Sequence, residues 1–263
     1  MLLFACAPAT ISAQLRPATL NAWEDYIQMA ESRLRSDEGR QVLWMDEVPG
    51  RRNRVRSGEI VVATTNGKSH QAVPHGLIHD WSGAIFVPKV SIPDVLAVIQ
   101  DYDRYAEYYG PTMRSAKLLN RDGDHESFRV RYVRKALFVI AALDVEYEVQ
   151  DYRIDKHRWY SVARSTSVRE IQNYGQPGER ILPADQGDGY VWRACGISRL
   201  DESDGGVYVE QESIALSRSI PLSLRWLVEP FVERLSRDLV VGSLRHTRDA
   251  VLCVHSPIPE TGN

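Results

Sequence analysis

The chain has little of what marks several common protein classes. It holds three cysteines in 263 residues, Cys6, Cys195 and Cys253. They form no C-x-x-C pair and no metal-ligand spacing, which excludes a disulfide framework and a cysteine-based zinc site. No apolar run approaches the roughly 20 residues that span a bilayer, so no membrane-spanning helix is expected. Neither sign of charge prevails, with 32 basic against 35 acidic residues, and no global field draws the chain toward nucleic acid or anionic lipid. The H-E-x-x-H, P-loop, G-x-S-x-G and G-x-G-x-x-G motifs are absent, and with them the support for metallopeptidase, nucleotide-binding and common hydrolase readings. His70, His75 and His79 flank one loop at irregular spacings with no carboxylate on a defined face, so neither a metal nor a cofactor is expected. The one basic cluster, Arg51, Arg52, Arg54 and Arg56, follows Gly50 and encloses Asn53 without interleaved aromatics. It is expected to be a solvated loop, not a nucleic-acid contact.

What is present begins with a short apolar, small-residue stretch, residues 1–14, that could end in a signal-peptidase site after Ala13 or derive from a lipoprotein leader. On this basis a periplasmic or secreted location is expected, with a cytoplasmic one as the alternative. An extension over residues 15–75 follows. Within it Asn21 and Glu24 make a capping-box pattern, and Trp23, Ile27, Ala30 and Leu34 form the apolar stripe of a helix. Residues 59–65 read as a strand closed by Asn66-Gly67. From residue 76 to about 252 the order is a strand (76–88), two short helices (92–100 and 101–109), six antiparallel strands (113–120, 126–134, 139–152, 158–168, 190–200 and 207–216) and one long helix (220–250). Residues 253–263 form a tail. Pro230 lacks an amide hydrogen, so the long helix is expected to bend or break there.

Period-two alternation assigns the faces of the sheet. Val139, Ala141, Leu143, Val145, Tyr147 and Val149 lie opposite Asp144, Glu146 and Glu148, a buried face against a wet one. Arg193 and Arg199 share a face with Glu210 and Glu212, a cross-strand charge pattern suited to solvent. The opposite face then carries Trp159, Ser161, Ala163 and Ser165, then Trp192, Ala194, Gly196 and Ser198, then Val209, Gln211, Ser213 and Ala215. Most of these are small. They lie opposite a helix whose apolar stripe is expected to be Leu224, Leu227, Val228, Phe231, Leu235, Leu239 and Gly242. Small residues under a large apolar helix leave volume, and such volume commonly receives a ligand. The candidate lining is Tyr132, Leu143, Tyr147, Trp159, Ala163, Trp192, Ala194, Gly196, Gln211, Ser213, Phe231, Leu235 and Leu239, with His246 at the mouth as a polar contact. Tyr102, Tyr105, Tyr108 and Tyr109 are too dense for one helical face, so some are expected at the surface or over an entrance.

Gly83-Ala84-Ile85-Phe86-Val87-Pro88 leading into Val95 and Ile99, then Asp101-Tyr102-Asp103-Arg104-Tyr105 with Tyr108, and a closing helix with Trp226, Leu244 and Thr247-Arg248, together resemble the helix-grip fold of the START-like (SRPBCC) superfamily. Coenzyme Q-binding proteins and polyketide cyclases belong to it. The likeness covers residues 76–252 and implies an α+β fold, a curved antiparallel sheet wrapped around a long C-terminal helix, with an extra N-terminal helix and strands. Two features depart from the pattern, the N-terminal extension and the long loop 173–189. The resemblance implies a hydrophobic small-molecule ligand, and it carries no catalytic signature.

Three functions fit these observations. The first is non-catalytic binding or transport of an apolar small molecule of lipid, quinone or isoprenoid type, with room for a peripheral contact with a membrane surface. The second is a cyclase- or hydratase-like enzyme using the same cavity, which needs a proton-transfer pair inside. The inward strand positions are expected to hold no Asp, Glu or Lys, which leaves that pair unsupplied and the catalytic set empty. The third is a structural or protein-interaction module with a filled core.

Overall fold

The computed structural model describes residues 13–35, 43–136, 139–220 and 222–255, with backbone alone over 222–231. The expected leader falls outside this range except for its last two residues, Ala13–Gln14 (β1), which pair with Gln186–Gly187 (β10). Residues 256–263 of the tail fall outside it as well.

Helix α1 (Pro17–Arg35) starts at proline, whose fixed φ and missing amide suit a first helical position. The stripe read from the sequence, Trp23, Ile27, Ala30 and Leu34, is buried together with Tyr26. A 3-10 turn (Trp44–Asp46), a second helix α2 (Arg51–Arg56) and the strands β2 (Val61–Thr64), β3 (Gln71–Val73) and β4 (Gly76–Pro88) follow. Helix α3 (Ile92–Ile99) is held by a capping box between Ser91 and Asp94. A 3-10 turn (Tyr102–Arg104) leads to α4 (Tyr105–Tyr108). The meander is β5 (Met113–Asp122), β6 (His125–Ala136), β7 (Val139–Arg153), β8 (Arg158–Gln172), the short β9 (Arg180–Ile181), β10, β11 (Arg193–Ser203) and β12 (Gly206–Arg218), closed by α5 (Leu222–His255). Among the described residues ten strands form one sheet in the order β2-β4-β12-β11-β8-β7-β6-β5, with β3 beside β4 and β9 beside β8. The arrangement is α+β, a large antiparallel sheet with a long C-terminal helix, as the sequence led us to expect.

The sheet is buried on both faces, and this corrects the expectation of a wet outer face. Helix α1 packs on Ile78, Val162, Ile197, Ile214 and Leu216, while Leu43, Trp44, Met45 and Val55 cover Ala84, Phe86 and Tyr208. The cross-strand charges are therefore buried: Arg199, Glu210 and Glu212 are at most 7% exposed. They are matched to one another, as buried charges must be. Arg199 donates to Glu212 at 2.8 Å, Arg33 of α1 donates to the same carboxylate at 2.6 Å, and Glu210 accepts the backbone amides of Trp44 and Met45. Asp144, also expected to be wet, is buried under Arg129 and Arg169. Arg193 does sit on the outer side, paired with Asp185. The arginine cluster forms α2 and not a solvated loop, because Arg51, Arg52 and Arg56 stack on Trp44, Tyr208 and Phe86.

Helix α5 runs unbroken past Pro230, which excludes the two-piece alternative. Its buried stripe is Val240, Leu244, Thr247, Ala250 and Val251. This stripe lies one residue, about 100°, from the one expected through Leu235, Leu239, Gly242 and His246. Leu239 is 39% exposed. Gly83 of β4 sets the seat: a Cβ there would stand 2.7 Å from Leu244 and 3.0 Å from Val240, so only glycine lets this helix settle on the strand.

Candidate functional site

Between the inner sheet face and the layer of α3, α4 and α5 lies a cavity of about 200 Å³. Its lining draws on β5, β6, β7, β8, β11 and β12, six consecutive strands. Strands stand about 4.8 Å apart, so residues on all six reach one small cavity only because the sheet curls around it.

The register of the meander sets the cavity floor row by row. Trp159, Leu200, Val209 and Ile85 make a bulky apolar row. The next row is Asp151, Ser161, Ser198 and Gln211, paired directly across β7, β8, β11 and β12. Beyond it run Val149, Ala163, Gly196 and Ser213. A Cβ built on Gly196 meets no atom within 4 Å, so the smallest side chain of the floor faces open space. The aromatic wall opposite β11 and β12 consists of Tyr102, Tyr105, Tyr109, Phe128, Tyr132 and Tyr147. Tyr102 and Phe128 stack at 4.2 Å, and Phe128 and Tyr147 at 5.1 Å. The α5 side adds Ser243, Leu244 and Thr247, and Tyr109 exchanges a hydrogen bond with Thr247 at 3.0 Å.

Of the sequence candidates, Tyr132, Tyr147, Trp159, Ala163, Ala194, Gly196, Gln211 and Ser213 lie around this cavity. Five do not line it, and the side chain of Phe231 lies outside the described residues. Leu143 pairs with Tyr132 but is buried in the aromatic cluster behind the wall. Trp192 precedes the first residue of β11, so the strand's alternation does not extend to it, and its ring packs under α1 on the opposite sheet face. Leu235, Leu239 and His246 follow the helix phase that the structure corrects. His246 is half-buried beside the Tyr109 ring.

The sequence reading missed Asp151, Gln100, Thr247 and, as lining, the wall tyrosines Tyr102, Tyr105 and Tyr109. Asp151 continues the odd-numbered inward set of β7 by one step, so the alternation already contained it. The expectation of no inward carboxylate is overturned. Burial, reinforced by the nearby Glu126 carboxylate, pushes Asp151 up to about 7. Its Oδ2 accepts a hydrogen bond from Gln100 at 2.6 Å. Beside it Tyr102 donates to the buried Glu126 at 2.6 Å, and Arg121 donates to the other oxygen of that carboxylate. Burial also raises Tyr102, Tyr105, Tyr109, Tyr132 and Tyr147, so the wall stays neutral and its hydroxyls stay protonated at physiological pH. Among the described residues no cluster of three or more His, Cys, Asp or Glu could hold a metal ion. No helix there is long and apolar enough to cross a membrane.

No protein-family model matches the sequence, and no curated protein matches it. Among solved structures, similar chains include the STAR-related lipid transfer protein fragment from Xanthomonas axonopodis, at 17% identity over 73% of this chain and 98% of that one with a TM-score of 0.45. Zhui aromatase/cyclase from Streptomyces sp. R1128 matches at 14% identity over 68% and 97%, with a TM-score of 0.43. Human STARD10 matches at 8% identity over 73% of each chain, with a TM-score of 0.45. These likenesses are of chain trace alone.

Proposed function

We propose that this chain binds an apolar, ring-bearing small molecule between its sheet and its helical layer. The observation that carries the reading is the aromatic-walled cavity of about 200 Å³ over the uncovered Gly196. Interiors are otherwise packed to crystal density, and a cavity of roughly 150 Å³ accepts a benzene ring. The size favours a compact ring, such as a quinone head or a short isoprenoid, over a molecule with two acyl chains. A filled structural core does not fit this volume. Native mass spectrometry of the recombinant chain, followed by solvent extraction, tests the reading. A co-purifying apolar compound is expected; an empty protein that also fails to quench Trp159 with any ring compound refutes it.

A second reading, proton-transfer chemistry in the same cavity, is favoured by Asp151. A cavity carboxylate poised near pH 7 beside the Tyr102–Glu126 pair has the position and affinity of a general base. If it acts so, Asp151→Asn abolishes turnover of whatever compound is extracted while leaving its binding in place.

A further inference from the structure

The polar row on the cavity floor differs from the rows beside it in carrying a polar side chain on each of its four strands. The hydroxyls of Ser161 and Ser198 and the amide of Gln211 line the cavity, and among the described residues none of them has a hydrogen-bond partner. Ser161 is 93% buried, since its exposure is 7%. Ser198 and Gln211 are half-buried, so water reaches the row from the open side of the cavity, and a ligand that enters must replace that water with polar groups of its own. The row is also ordered. Asp151, Ser161, Ser198 and Gln211 are successive cross-strand partners, so their side chains repeat at the strand spacing of about 4.8 Å. A bulky apolar row borders it on one side and the small row containing Gly196 on the other.

Resting on the binding function proposed above, we infer that the row Asp151–Ser161–Ser198–Gln211 is a rail for one edge of the ligand, and that the ligand is a ring compound with two or more hydroxyl groups along that edge. The ring lies over Ala163 and Gly196, where there is room for it, and faces the tyrosine wall. Its hydroxyls meet the serines and Gln211, which both donate and accept, while Asp151 at the end of the row receives a donor. A hydrocarbon ring leaves all of these groups unpaired. A site built to hydrogen-bond hydroxyls rejects the analogue that lacks them far more strongly than an apolar pocket discriminates by size.

The test titrates the full chain with 1,3-dihydroxynaphthalene, 1,3-dimethoxynaphthalene and naphthalene, followed by Trp159 quenching and calorimetry. The two hydroxyls of the first probe stand about one strand spacing apart. The second keeps acceptors and loses donors, and the third has neither. At least tenfold tighter binding of the diol than of the other two is expected. Ser161→Ala combined with Gln211→Leu should bring the three within threefold of one another, by weakening the diol and strengthening naphthalene. Ser161→Ala alone, which removes one oxygen, serves if the double variant does not fold, and should take away part of the preference. Equal affinity for all three probes overturns the rail and leaves the cavity reading standing. A diol preference that survives both variants overturns the assignment to this row. Binding of none of the probes overturns the rail and the cavity reading together.

Discussion

Two glycines on the inner face of the same sheet should respond in opposite ways to added volume. Gly196 and Gly83 sit in regular extended strands with no positive φ, so neither substitution strains the backbone. A Cβ on Gly196 meets nothing within 4 Å, whereas one on Gly83 stands 2.7 Å from Leu244 and 2.8 Å from Val62. In a filled core, inserting a phenyl ring costs about 1–3 kcal/mol. In an open cavity the ring instead gains burial, worth about 1.5–3 kcal/mol, and removing a strand glycine adds about 0.5–1 kcal/mol. For a chain of this length 1 kcal/mol corresponds to roughly 2–4 °C in Tm. Gly196→Phe is therefore expected to melt no lower than the wild type and to lose its ligand, while Gly83→Ala should melt lower, by up to about 10 °C, the overpacking cost less the glycine gain multiplied by that slope. Differential scanning calorimetry with extraction of bound compound reads both. If Gly196→Phe unfolds the protein as Gly83→Ala does, and the wild type carries nothing, the inner face is filled core and the cavity argument is wrong.

Other expectations concern the two faces separately. Trp159 lines the cavity and Trp192 lies on the opposite face, so Trp159→Phe should abolish ligand-induced quenching and Trp192→Phe should leave it intact. Ile27 is 1% exposed on α1; Ile27→Ala should cost about 2–5 kcal/mol in denaturant unfolding without changing ligand affinity. Burial raises Glu210 from its usual 4.5 to about 7, against the opposing pull of Arg199 and two backbone amides. A raised carboxylate contributes stability fully below the unfolded value and loses it as pH climbs through the folded one. The wild type should therefore lose Tm relative to Glu210→Gln between pH 5 and 7.5, a comparison in which the titrations of His79 and Asp80 cancel; a constant difference across that range refutes the assignment.

Alternation along the strands was legible, and so was much of the cavity, because a period of two depends on local backbone geometry and needs no knowledge of neighbours. It placed Ser161, Ala163, Gly196 and Gln211 on one face and Arg199, Glu210 and Glu212 on the other. It could not say what covers the second face. Charge was read as exposure, whereas Arg33, Trp44 and Met45, 165 to 179 residues distant in sequence, supply the partners that let those charges be buried. Helix phase was harder. The stripe through Leu235 and Leu239 is apolar, yet Val240 and Leu244 face the sheet, because Gly83 fixes where the helix can descend and the sequence of α5 carries no mark of that contact. Trp192 failed for a simpler reason: a face assignment holds only inside a strand, and the strand starts one residue later.

The outer layer bears on how a cavity can persist at all. Side chains around unfilled volume forgo the close packing that stabilises a core, so an inner face with a cavity of about 200 Å³ contributes less to stability than a filled one. A sheet with one wet face would have little to set against it. Here the N-terminal extension buries Trp23, Tyr26, Ile27, Leu34, Trp44 and Met45 on the outer face, each worth about 1.5–3 kcal/mol of apolar burial, and ties itself down through Arg33 to Glu212 and Arg164 to Glu31. Glu212 stands on the same strand as Gln211 and Ser213, its side chain on the face opposite theirs. The strands that leave space inward are thus the ones clamped outward, which keeps the row spacing of the floor fixed while the cavity is empty.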